Sequence, residues 1–148
     1  MTKVWPNTGA IGALFFLLAV FLIESAMAGA ADANVIEVRA IKGGNGDWTF
    51  HVTVSHPDTG WDDYCDGWDV VTDAGEVLKR NPKDPFTRLL LHPHENEQPF
   101  TRSQSGLTIP EGVKSVTVRA HDIVDGFGGQ EITLDLSADS GPGYTISK

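Results

Sequence analysis

The feature that most constrains this chain is a strict alternation of apolar and polar side chains in short segments, each closed off by Gly, Pro, Asn or Asp. It is clearest from Trp48 to Ser55. There Trp48, Phe50, Val52 and Val54 fall on one side, and Thr49, His51, Thr53 and Ser55 on the other. A period of two is the mark of a half-buried strand. Ser115 to His121 repeats it, with Val116, Val118 and Ala120 inward and Thr117, Arg119 and His121 outward. Val35–Ile41 and Glu131–Leu136 read the same way. Trp68–Thr72 and Glu76–Arg80 read as a hairpin around Asp73-Ala74-Gly75. Phe86–His92 is a more continuous apolar strand, and Phe100–Ser105 a less regular one. No segment after the first thirty residues has a helical period. Roughly seven or eight short strands with frequent turn signals predict an all-β, immunoglobulin-like antiparallel β-sandwich, with Phe50 and Trp68 in its core.

Residues 1–30 have a different character. Lys3 precedes an apolar run from Ile11 to Ile23, and Ala26-Met27-Ala28-Gly29-Ala30-Ala31 follows. That order is the pattern of a secretory signal peptide, with cleavage expected after Ala28 or Ala30. The run is shorter than the roughly 20 residues of a spanning helix, so no stable membrane insertion is expected after cleavage. No Cys lies beside the cleavage site, and no Arg pair precedes the run, so neither lipidation nor a twin-arginine route is indicated. Residues 31–148 then make one domain, periplasmic or secreted.

The net charge is −9, from 20 acidic and 11 basic residues. An acidic chain is poorly suited to nucleic acid or anionic membrane. Cys65 is the sole cysteine, so no internal disulfide can form. Acidic neighbours would raise its pKa, which argues against a nucleophilic role. No Gly-x-Ser-x-Gly, H-E-x-x-H or phosphate-binding loop is present.

The chemistry-bearing residues gather at strand ends. His92-Pro93-His94-Glu95 follows Phe86–His92, His121-Asp122 ends its strand, and His56-Pro57 leaves Trp48–Ser55. Strand direction places His92, His94 and His121 at one end of the sandwich, and an immunoglobulin-like topology adds His56. Imidazoles with carboxylates suit zinc, copper, nickel or iron. The expected metal ligands are therefore His92, His94 and His121, with His56, and with Asp122 and Glu95 as oxygen ligands or as acceptors that orient an imidazole. Loop histidines bonded to nearby carboxylates are the plainer alternative.

The loop from His56 to Gly67 carries Asp58, Asp62, Asp63 and Asp66, which do not match a calcium-loop spacing. Trp61 and Tyr64 offer a platform for a protein or glycan partner, although a loop folded over the rim with Trp61 buried is the favoured expectation. These residues point to metal handling rather than catalysis. A non-enzymatic binding module and a metal-dependent redox enzyme are the alternatives.

The run Leu91-His92-Pro93-His94-Glu95-Asn96-Glu97-Gln98-Pro99-Phe100-Thr101-Arg102, with His121-Asp122 and Gly126-Phe127-Gly128-Gly129, resembles a group of small exported bacterial proteins of unassigned function. A fainter similarity is to the immunoglobulin-like domain of superoxide reductases, of the desulfoferrodoxin and neelaredoxin type, which implies iron held by four histidines and one cysteine. It is carried by His56-Pro57, Asp63-Tyr64 and Trp68. Asp63 stands where the second histidine would be. The Cys-Asn-x-His-Gly element is matched only by His121 to Gly126, without its cysteine or second histidine. The resemblance thus implies a loop-end metal site on such a sandwich, and no superoxide chemistry.

Overall fold

A computed structural model describes residues 31–148. The signal-peptide reading falls on residues outside that range. The described residues form strands and turns with no helix. The strands are β1 (Asn34–Lys42), β2 (Trp48–Ser55), β3 (Cys65–Thr72), β4 (Arg88–Leu89), β5 (Phe100–Leu107), β6 (Ser115–Asp122), β7 (Gly126–Phe127), β8 (Ile132–Asp135), β9 (Ser140–Gly141) and β10 (Tyr144–Ser147). They make two sheets. One has the order β5-β2-β1-β10-β9; the other runs β4-β3-β6-β7, with β8 also on β6. All pairings are antiparallel except β1 with β10.

The alternation explains how the sheets meet. Trp48, Phe50, Val52 and Val54 of β2 are buried, as are Val116, Val118 and Ala120 of β6. They join Trp68, Val70, Phe100 and Leu134 in one core shared by both sheets. Burial of this apolar area is the dominant favourable term for a chain without a disulfide. Bulges at Val35/Glu37 and Cys65/Gly67 reset the phase of β1 and β3, which is why neither alternates cleanly.

Three segments depart from expectation. Glu76–Arg80 is not a strand; it meets β3 through a single bridge, Val71 to Val77, and two backbone hydrogen bonds. Phe86–His92 pairs only over Arg88–Leu89, because Thr87 turns inward to bond Val70 N and Leu78 O. Phe100–Leu107 is instead a full edge strand on β2, and β10 was not anticipated.

Candidate metal centre

β2 and β6 both run out of apolar residues at the same end of the fold. Continuing each alternation by one step gives the next inward residue: His56 beyond Val54, and Asp122 beyond Ala120. Both are fully buried, at 1% and 0% exposure. One comes from each sheet, and they face each other where the core ends. The third member arrives from the loop. Thr59 N donates to Asp63 O and Asp63 N to Gly60 O, closing a tight turn at Gly60, whose φ of +139° suits glycine. Asp63 is thereby turned back toward His56.

His56, Asp63 and Asp122 each offer one ligand atom, and these atoms lie within 4.8 Å of one another. His56 Nε2, Asp63 Oδ1 and Asp122 Oδ2 are buried, and none has a hydrogen-bond partner. His56 Nε2 and Asp63 Oδ1 are 3.5 Å apart. Buried polar atoms are nearly always paired, so three unpaired ones converging on one point form an unusual group.

The surrounding hydrogen bonds hold this group in place. Asp58, its side chain fully buried, accepts from His56 Nδ1 at 2.6 Å and from Cys65 N at 3.1 Å through Oδ1. Its Oδ2 accepts from His94 N at 2.6 Å. A carboxylate can only accept, so His56 carries a hydrogen on Nδ1, and in the neutral ring this leaves the Nε2 lone pair free. Asp122 Oδ1 accepts from Val124 N and Asp125 N at 3.0 and 2.6 Å, which leaves Oδ2 as its unpartnered oxygen. Asp125 is held above the usual carboxylate range by desolvation and by the negative charge of Asp122, Asp32 and Asp63. Among the described residues no Lys or Arg makes an ion pair with Asp32, Asp63, Asp122 or Asp125.

The structure brings together two of the residues singled out in the sequence, His56 and Asp122. It does not gather His92, His94 and His121 into one set. His121 points to the outer face of its sheet, as its place in the alternation requires; it bonds Asp66 and packs against Phe86 and Phe127. His94 is buried and stacked on Phe100, with ring centroids 3.9 Å apart and planes within 10°. Burial, then the Arg102 guanidinium and His92, lower its pKa. His92 is exposed, bonds its neighbour's carbonyl at Pro93 and lies beside His94. Glu95 is exposed and belongs to neither carboxylate group. Sharing an end of the sandwich is a weaker condition than sharing an inward face. Asp63 is visible in the sequence as one of four loop aspartates and at the second-histidine position of the superoxide reductase resemblance, but nothing in its spacing separates it from Asp58, Asp62 and Asp66.

Cys65 is fully buried in β3, and burial, reinforced by Asp58, Asp66 and Asp122, pushes its thiol up to about 12. Trp61 is 66% exposed, which overturns the expectation that it is buried over the rim. The loop leans on Tyr64, edge to face at 5.7 Å, and leaves the indole in solvent.

A protein of Halomicrobium mukohataei named "Putative lipoprotein" is 41% identical over 107 residues, 72% of this chain and 49% of that protein. The chain thus spans about half the length of this relative. No family model matches, and no solved structure matches.

Proposed function

We propose that this protein is an exported, periplasmic or secreted immunoglobulin-like β-sandwich that binds a divalent metal ion through His56 Nε2, Asp63 and Asp122. One observation carries the reading: His56 just after β2, Asp63 in the loop before β3 and Asp122 at the end of β6 bring one ligand atom each within 4.8 Å of one another, and each has a buried side-chain atom without a partner. The spacing suits a cation. Tetrahedral zinc with bonds of roughly 2.1 Å separates its ligand atoms by about 3.4 Å, and a larger ion with bonds near 2.4 Å allows up to about 4.8 Å. The 3.5 Å between His56 Nε2 and Asp63 Oδ1 fits either arrangement and is too long for a good hydrogen bond. Asp58 serves as the carboxylate that orients a metal-bound imidazole.

One imidazole with two carboxylates favours zinc, iron(II) or manganese(II) over copper. Two of the three positions are also those the superoxide reductase resemblance names, His56 as the His-Pro histidine and Asp63 in place of the second histidine. Metal handling is the role proposed, and the relative's name agrees with an exported-type protein. Titration of purified protein with Zn²⁺ and Mn²⁺ tests the reading. Stoichiometric binding that His56→Ala abolishes and His121→Ala preserves is expected; absence of binding, or loss in the His121 variant alone, refutes it.

A second reading has its own observation. Trp61, with Tyr64 at its edge and Ile123 and Val124 exposed nearby, gives an apolar rim beside the metal centre. Such a rim suits a binding module for a protein or glycan. Trp61→Ala would then weaken partner binding and leave stability unchanged, as measured by thermal melting; a destabilised variant would mean the indole is structural.

A further inference from the structure

We infer that the centre holds two cations, bridged by Asp122, and that the outer position takes a hard, oxygen-seeking ion such as Ca²⁺ or Mn²⁺. The inference rests on the reading of the inner site. Asp32, Asp122 and Asp125 form a second group whose ligand atoms also lie within 4.8 Å of one another. Asp122 is common to both groups. It is fully buried, and its Oδ2 has no partner. A carboxylate shared between two such sets has the arrangement of a bridging ligand, which in two-metal centres spans ions roughly 3.5–4 Å apart.

Charge points the same way. Asp32, Asp63, Asp122 and Asp125 would together carry four negative charges, with no Lys or Arg paired to any of them among the described residues. With Asp58 added on His56, one divalent ion would offset less than half of the negative charge gathered here, and a second ion would offset most of the rest. The outer group is all oxygen, which selects hard cations. Its two private ligands, Asp32 and Asp125, are exposed, so the outer ion would face solvent and exchange readily.

The fold positions Asp32 deliberately. A Cβ on Gly128 would sit 2.6 Å from Asp32 Oδ1, and one on Gly129 would sit 2.1 Å from Ala33 O. The glycine pair therefore lets the segment before β1 lie directly against the loop after β7. Gln130 N donates to Asn34 Oδ1 at 2.7 Å and Val35 N to Gln130 O at 2.8 Å, which fixes the approach. A pair that reads as turn chemistry in the sequence thus delivers a carboxylate to Asp122.

The test is calorimetric titration of purified protein with Mn²⁺, together with electron paramagnetic resonance of the saturated sample. Two equivalents and an exchange-coupled manganese spectrum are expected. The doubly substituted variant Asp32→Asn with Asp125→Asn should bind one equivalent and lose the coupling, with both substitutions at exposed side chains. One equivalent in the wild type, or two in the double variant, overturns the second position and leaves the inner site standing. No binding at all overturns both.

Discussion

Asp58→Asn should be among the most damaging conservative substitutions in this protein, although it removes no metal ligand. Asp58 accepts three hydrogen bonds with two oxygens: His56 Nδ1 and Cys65 N on Oδ1, and His94 N on Oδ2. An amide has only one acceptor oxygen. If that oxygen keeps His56 and Cys65, the NH₂ meets the His94 N–H, donor against donor. If it turns to His94, the NH₂ faces the Cys65 N–H and forces His56 to move its hydrogen to Nε2, the atom assigned to the metal. Either way one buried backbone donor is orphaned, at about 1–3 kcal/mol, and a charge-assisted hydrogen bond worth about 1.5–3 kcal/mol is lost. The sum is roughly 2.5–6 kcal/mol. At roughly 3–6 °C per kcal/mol for a domain of this size, the midpoint should fall by about 8–36 °C. Metal affinity should weaken about 10–100-fold, the usual cost of losing an outer carboxylate. Urea and thermal unfolding followed by tryptophan fluorescence, with metal titration at a temperature where the variant is folded, would measure both. A variant within about 1 kcal/mol of wild type would refute the claim that Asp58 organises this end of the fold.

Other consequences follow from particular contacts. Cys65, with its thiol near pH 12 and its side chain in the core, should not react with a disulfide reagent at pH 8 until the protein unfolds; rapid reaction in the native state would contradict its burial. His94→Phe should match or exceed wild-type stability at pH 7, since both ring nitrogens of His94 are buried and unpartnered while its plane stacks on Phe100. The same variant should show a flatter pH dependence. A histidine whose folded pKa lies below 6.5 contributes nothing adverse above that pH and costs stability as pH falls through it toward the folded value. Denaturant melts from pH 7.5 to 5 would check both points, and a destabilised His94→Phe would show that a ring nitrogen is used. Gly129→Ala should destabilise by about 1–3 kcal/mol, because its Cβ meets a backbone carbonyl that cannot swing aside; a neutral effect in a thermal melt would mean the segment before β1 is not packed there.

The two-sheet all-β architecture was legible because alternation in β2 and β6 directly encodes one buried face. β3 and β4 were less legible. A bulge breaks the period of β3, and Thr87, a polar residue, takes an inward role that apolar pattern cannot reveal. Of the proposed metal centre, His56 and Asp122 were visible as chemistry, and their parity was visible too: each is the next inward step after its strand's last apolar residue. The histidines at 92, 94 and 121 drew attention by residue type. The alternation already turned His121 outward, whereas the stacking of His94 on Phe100 depends on β5 lying beside it in space. Asp32 lies ninety residues from Asp122 in sequence. Only the close backbone approach at Gly128 and Gly129 unites them, and no local pattern announces such an approach.

The most direct measurement is an anomalous-difference map from a crystal soaked in Mn²⁺ and recorded at an energy where manganese scatters anomalously. A peak is expected within roughly 2.0–2.4 Å of His56 Nε2 and of one oxygen each from Asp63 and Asp122. A map without a peak there, or with manganese between His92 and His94 instead, would contradict the proposed metal centre.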